Sequence, residues 1–170
     1  PFTGQAALTT WLAEIAQNEA MIYFAYVDNA TGKAAGNGAF MSMAPAGGSI
    51  EIGAIMLAPS LQGTRAGTEA LILMIKWAFE AGYRRLEWTC DPLNAASMRA
   101  AERLGFTYEA TFRQAYVTKG RNHDKAVFAI TDADWPALSA KYDQWLAAAN
   151  FAPDGAQLSR LSDLTAPHVH

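Results

Sequence analysis

The stretch Glu51-Ile52-Gly53-Ala54-Ile55-Met56-Leu57-Ala58-Pro59-Ser60-Leu61-Gln62-Gly63-Thr64-Arg65-Ala66-Gly67-Thr68 decides how this chain reads. Its first part is apolar and β-branched and reads as a strand. Pro59 and Ser60 end it, and a loop holding Gly63 and Gly67 follows. A long helical pattern begins at once at Arg65, apolar over a wide arc through Leu71, Ile72, Ile75, Ala78 and Phe79. The start of a helix offers free backbone N–H groups and about half a unit of positive charge. Glycines beside it let a bulky anion come close. The arrangement suits a phosphate or pyrophosphate. It suits a tight turn with a helix cap equally well. The loop has neither a Gly-Lys-Ser/Thr ending nor the Gly-x-Gly-x-x-Gly pattern, which excludes a nucleotide-triphosphatase loop and a dinucleotide fingerprint.

Working outward, residues 9–18 have helical spacing, and residues 21–27 and 33–43 read as strands around the turn Asp28-Asn29-Ala30-Thr31-Gly32. With residues 49–58 they make an antiparallel meander. Downstream, the helix over 65–81 stops at Gly82, residues 85–90 form a short strand, and residues 94–104 form a helix stopped by Gly105. Strands follow over 107–118 and 125–131, around Gly120-Arg121-Asn122. A last helix opens at Asp134, with Pro136 in its first turn. Its stripe Trp135, Leu138, Tyr142, Trp145 and Leu146 reads as core packing or a dimer contact. From Ala152 the sequence is polar and aperiodic, which predicts a mobile tail. The organisation is therefore one α/β (α+β) domain over residues 1–151 and a tail over 152–170.

Composition narrows the function classes. The chain has 170 residues, enough for one domain with a real core. It is 51% hydrophobic and 17% charged, which rules out disorder. A net charge of −3 argues against a nucleic-acid partner. The single cysteine, Cys90, excludes an intrachain disulfide and a cysteine-rich zinc site. There are three histidines, two of them at His168 and His170, so no metal site is expected. No apolar run approaches the ~18 residues of a membrane span, and no signal-peptide pattern opens the chain. A cytoplasmic domain with no membrane association is expected.

Two motifs carry a family resemblance. Gln62-x-x-Arg65-x-Gly67 resembles the Gln/Arg-x-x-Gly-x-Gly/Ala loop of the GNAT acyltransferase superfamily, and Asn94-x-x-Ser97 followed by Leu104-Gly105-Phe106 resembles its Asn-x-x-Ser…Leu-Gly-Phe signature. The order of elements agrees over about residues 5 to 150. The serine variant, the strand with Glu51-Ile52-Gly53 and the hairpin Lys119-Gly120-Arg121-Asn122-His123-Asp124 are similar to the RimJ/RimL-like branch, which includes N-terminal acetyltransferases of ribosomal proteins. The resemblance implies a mixed, mostly antiparallel central sheet flanked by helices. It implies acetyl-CoA as co-substrate, without a metal, and a primary amine of a small molecule or protein N-terminus as acceptor. It also implies a pyrophosphate cradle formed by Gln62, Gly63, Thr64, Arg65, Ala66, Gly67 and Thr68. Arg65 stands where the family has its first glycine. Its guanidinium either meets phosphate or points to solvent.

For the chemistry, Glu51 is the candidate base. It lies among Ile50, Ile52, Ile55 and Leu57, where a carboxylate is partly desolvated. The competing reading is a structural carboxylate paired to an arginine. The resemblance gives Ser97 the role of meeting the coenzyme sulfur; its position at a helix start also fits simple capping. Asn94 both caps that helix and contacts the pantetheine arm. Backbone groups of residues 88–90 are expected to pair with that arm. The tyrosine that many superfamily members carry four residues after the serine is Ala101 here. Cys90 reads as a small buried apolar residue rather than a nucleophile. Arg113, Tyr116, Arg121 and Asp124 are acceptor-contact candidates, and His123 reads as a surface residue.

Three functional readings remain distinct at this stage: transfer of an acetyl group, transfer of another acyl group, and acyl-CoA binding without transfer. The family fold begins with a strand and helix ahead of the pattern that starts here near Thr9. The chain opens on Pro1, so a missing first strand and a homodimer are further expectations.

Overall fold

The computed structural model describes residues 3–166. The expectations that concern Pro1, His168 and His170 fall outside them. Its elements are α1 (Gln5–Ile15), β1 (Met21–Asp28), β2 (Lys33–Ala44), β3 (Ser49–Leu57), α2 (Arg65–Glu80), β4 (Arg85–Cys90), α3 (Ala95–Arg103), β5 (Thr107–Thr118), β6 (Arg121–Thr131), α4 (Trp135–Leu146) and α5 (Leu161–Thr165). The strands form one six-stranded sheet in the order β1-β2-β3-β4-β6-β5. Every neighbouring pair is antiparallel except β3 and β4. No helix among the described residues is long and apolar enough to cross a membrane.

Alternation sorts the sheet into two faces. Phe40, Ile50, Ile52, Leu86, Trp88, Phe128 and Ile130 point to one side and pack against Leu71, Ile72 and Ile75 of α2 in a continuous core. The register row Met21–Met41–Glu51–Glu87–Ala129–Thr107 lies on the other side. Over that second face, Trp11 of α1 meets Tyr23 of β1 edge-on, with ring centroids 6.4 Å apart.

Three local differences from the sequence reading have simple causes. α1 starts four residues early, at Gln5, where the hydroxyls of Thr9 and Thr10 bond back to the carbonyls of Gln5 and Ala6. β6 starts at Arg121 rather than 125, because Lys119 (φ 51) and Gly120 (φ 72) alone make the turn, both in the left-handed region that matches strand twist. The stripe on α4 is spent on this chain's own core: Tyr142 and Trp145 are buried, and the Tyr142 hydroxyl donates to the Leu104 carbonyl at 2.5 Å. This is the core-packing reading of the stripe.

The expected mobile tail is the third difference, and it is corrected. Leu161 is fully buried and α5 packs on α3 and α4, while the Thr165 hydroxyl donates to the Arg103 carbonyl at 3.0 Å. Buried Asn150 anchors the return: its side chain accepts from the Ser159 amide at 2.8 Å and donates to the Trp145 carbonyl at 2.9 Å. Three leucines in a polar run, Leu158, Leu161 and Leu164, are too few to show periodicity, yet the last two suffice to dock five residues of helix.

Candidate active site

The parallel pair is short. β3 and β4 are in register only at Ser49↔Arg85, Ile50↔Leu86 and Glu51↔Glu87. Beyond that point β3 runs to Leu57 and β4 to Cys90 without pairing to each other. The two strands thus open a wedge, and backbone groups on the facing edges are left without a ladder partner. β3 also carries a bulge there: Ala39 pairs with Gly53 and Asn37 with Met56, so β3 has one extra residue, and Ala54 takes φ 49. The Asn37 side-chain amide donates to the Ala54 carbonyl at 2.8 Å and holds the bulge.

Glu51 sits at the closed end of this wedge and is only 7% exposed. Its Oε1 accepts from the Thr89 hydroxyl of β4 at 2.6 Å, and its Oε2 from the Ser42 hydroxyl of β2 at 2.8 Å. Ser42 reaches it because β2 bulges between Met41 and Ala44, which puts Ser42 at φ 50. Among the described residues no cation comes within ion-pair distance of Glu51. The arginine-paired alternative is thereby removed. The nearby guanidinium, Arg85, is committed to Glu87 at 2.8 Å and to Glu109 at 2.6 Å. Those two carboxylates raise the Arg85 pKa, and Arg85 holds Glu109 below the usual carboxylate range.

The loop after β3 forms the other end of the site. The Gln62 side chain donates to the Leu57 carbonyl at 2.8 Å and ties the loop to its strand. Thr64 caps α2, its hydroxyl accepting from the Gly67 amide at 3.1 Å. Thr68 bonds back to the Thr64 carbonyl through both its amide and its hydroxyl. Among the described residues no acceptor meets the amides of Gly63, Arg65 or Ala66, which leaves three donors at the α2 N-terminus. Gly67 is needed for packing: an added Cβ would come within 2.2 Å of the Leu61 carbonyl oxygen. Gly63 needs only its positive φ of 69, since its missing Cβ faces open space.

Arg65 differs from both readings of it. Its guanidinium donates to the Leu146 carbonyl at 2.7 Å and lies 4.1 Å over the Phe151 ring. It secures the end of α4 instead of meeting phosphate, so Arg65 offers the cradle its amide alone. The guanidinium that does reach the first turns of α2 is Arg103, bonded to the Thr68 hydroxyl at 3.2 Å. Sequence spacing gave no sign of it, because the two residues lie on different helices.

On the β4 side, Asn94 caps α3 by accepting from the Ser97 amide at 3.1 Å. The Ser97 hydroxyl accepts from the buried Trp88 indole N–H at 3.0 Å. Trp88 faces the helices and Glu87 the opposite face, as alternation requires. Ala101 is fully buried, so no acid stands one turn after Ser97 on α3. Burial pushes the Cys90 thiol up, away from thiolate chemistry.

The β5–β6 hairpin brings one further group. His123 Nδ1 lies 2.5 Å from Asp91 Oδ2, just past the end of β4, and the imidazole stacks on Tyr116 with centroids 5.3 Å apart. This residue is a buttress between hairpin and wedge rather than a free surface histidine. Asp124 accepts from the Gln114 amide at 2.8 Å and shapes the hairpin. Arg113 and Arg121 take no ion-pair partner among the described residues.

Comparison with known proteins identifies the family and the fold. Residues 2–107 match the family model of the acetyltransferase (GNAT) domain. A crystal structure of a GCN5-related N-acetyltransferase from Brucella melitensis is 43% identical, with a TM-score of 0.93, covering 97% of this chain and 75% of that one. A probable acetyltransferase of the GNAT family from Chromobacterium violaceum is 44% identical, with a TM-score of 0.76, covering 81% of this chain and 69% of that one. A chimera of a spermidine N-acetyltransferase from Vibrio cholerae shares the fold at 18% identity and a TM-score of 0.64, covering 80% of this chain and 84% of that one. No curated protein matches the chain.

Proposed function

The chain belongs to the GNAT acetyltransferase family and is an N-acetyltransferase, and from that premise we propose that Glu51 receives the acceptor's proton as a primary amine attacks acetyl-CoA directly. The observation that carries this reading is the state of Glu51: a buried carboxylate held by two hydroxyls and no cation. Burying a charge without a partner is costly. An ammonium arriving at the closed end of the wedge supplies the missing partner, and the same carboxylate then takes its proton.

The other residues divide the remaining work. The amides of Gly63, Arg65 and Ala66 face a pyrophosphate at the positive end of α2, with Arg103 nearby. The unpaired edges of β3 and β4 hold the pantetheine arm as a strand would. Acetyl-CoA supplies an activated acyl carbon; the new N–C bond forms as the C–S bond breaks. Backbone N–H groups at the Ala54 bulge stabilise the oxygen that gains charge. Ser97 orients the sulfur, and Asn94 keeps its helix start in place. The serine at position 97, the strand with Glu51-Ile52-Gly53 and the hairpin over 119–124 support placement in the RimJ/RimL-like branch.

The test is thiol release from acetyl-CoA across a panel of amines, peptides and aminoglycosides. An active acceptor is expected, with Glu51→Gln lowering turnover about 10²- to 10⁴-fold while CoA still raises the melting temperature. Unchanged turnover in Glu51→Gln removes Glu51 from the proton path. CoA protection without release on any acceptor removes the transfer reading.

A further inference from the structure

Beside Glu51, on the sheet face away from the core helices, lies a cleft of about 530 Å³ lined by Asn18, Glu19, Met21, Met41, Ser42 and Met43, with Ala20 completing it. Its position relative to the reaction follows from the register. Met21, Met41 and Glu51 are direct cross-strand partners and share a face. Strand spacing puts Met41 roughly 5 Å and Met21 roughly 10 Å from Glu51 along the row. Ser42 joins cleft and carboxylate, lining the one and bonding to the other. Met41 reaches further toward the bulge. A Cβ built on Gly53 would lie 2.6 Å from the Met41 sulfur and 4.0 Å from Glu51 Oε1. The thioether therefore covers Gly53, the residue before the strained Ala54.

Four of the seven lining residues are apolar, Ala20, Met21, Met41 and Met43, and Asn18, Glu19 and Ser42 are polar. Met21 and Met41 share the face of Glu51, while Met43 packs against the core, and the Met21 sulfur is itself fixed by the Tyr23 hydroxyl at 3.6 Å. Methionine presents a flexible, polarisable, apolar surface that adapts to unbranched chains. The only charge on the lining is Glu19, which is exposed at the outer end beyond Met21. On this face Glu51 has Glu87 as its neighbour on β4 and Met41, then Met21, on the β2 side, so an apolar substituent on an amine seated at Glu51 is accommodated toward the methionines.

We infer that this methionine-walled cleft is the acceptor subsite, and that the acceptor is a primary amine borne on an unbranched apolar chain. The inference rests on the transfer reading and names the substrate class of that same site. Met41 and Met21 are then specificity-determining residues. Burying a methylene is worth a factor of roughly four in affinity, and partial burial about half of that exponent.

The test uses ethylamine, butylamine and hexylamine as acceptors, with 1,6-diaminohexane and 6-aminohexanoate as length-matched charged probes. The expected result is kcat/KM rising about two- to fourfold per methylene from ethylamine to hexylamine. Hexylamine is expected to exceed both charged probes. Met41→Ala and Met21→Ala should each reduce the hexylamine-to-ethylamine ratio, and Met41→Leu should restore it. A ratio that does not depend on chain length overturns the inference, as does a preference for the diamine, which would make Glu19 a second cation site. Calorimetric titration of hexylamine in the presence of CoA separates the two readings. Binding without turnover overturns transfer and keeps the subsite; turnover on short amines without a length effect keeps transfer and overturns the subsite.

Discussion

Thr89 on β4 donates a 2.6 Å hydrogen bond to Glu51 on β3, two residues past the last pair that joins those strands. The bond crosses the wedge where the backbone no longer does. If it orients the carboxylate, Thr89→Val keeps the shape and loses the donor, and should lower kcat about tenfold with KM for CoA little changed. Thr89→Ser should recover most of the loss. Equal rates for the valine and serine variants would reduce Thr89 to packing. Ser42→Ala should act in the same direction on Oε2.

Gly67 tests the geometry of the phosphate cradle. Its missing Cβ makes room for the Leu61 carbonyl at 2.2 Å, a backbone atom that cannot step aside cheaply. Gly67→Ala should lower stability by about 1–3 kcal/mol and remove the thermal protection given by CoA. A melting curve with and without CoA reads both effects.

Arg65 and the cradle should come apart on mutation. Its guanidinium holds the Leu146 carbonyl and the Phe151 ring, so Arg65→Ala is expected to cost about 1–3 kcal/mol of stability. CoA affinity should change less than threefold. A large loss of CoA affinity with native stability would return the guanidinium to the phosphate.

Ser97 serves two masters, and a double variant separates them. Ser97→Ala leaves the buried Trp88 N–H unpaired, which costs about 1–3 kcal/mol. Adding Trp88→Phe removes that orphan donor and should restore stability. Turnover that recovers along with stability would mean that Ser97 acts only as a partner of Trp88. Turnover that stays low places the hydroxyl at the sulfur.

The hairpin contact predicts a pH dependence. The Asp91 carboxyl is held below its ordinary value, first by the His123 hydrogen bond and then by the Leu93 amide. A lowered folded-state pKa contributes stability that is present above the unfolded value, about 4, and is lost as pH falls through the lowered value. His123→Ala should therefore shift the acid unfolding midpoint upward. Identical acid transitions for the two proteins would show that the pair adds nothing.

Much of this was legible in the chain. The change of period at Arg65, the glycines of the loop and the Asn94 cap each act within a few residues, and each is where local chemistry put it. What stayed hidden depends on contacts distant in sequence. Ser42 and Thr89 are ordinary strand residues until the bulge in β2 and the parallel register of β4 turn their hydroxyls onto one carboxylate. Arg65 has a helix-start position that suggests phosphate, and only the placement of α4 shows where its charge goes. His123 looked like a surface residue because Asp91 is far from it in the chain. Leu161 looked like part of a polar tail because its burial depends on Asn150 turning the backbone round.

The three-pair junction between β3 and β4 divides the sheet into two antiparallel plates. Strands β1 to β3 form one meander, and β4 to β6 a second antiparallel set, each with its own bulged ladder. The seam between them holds three residue pairs and the Thr89–Glu51 bond. A thioester entering the open end of the seam displaces no ladder hydrogen bonds, because β3 and β4 share none past Glu51 and Glu87, while α2, packed on both halves, ties the two plates together beneath it.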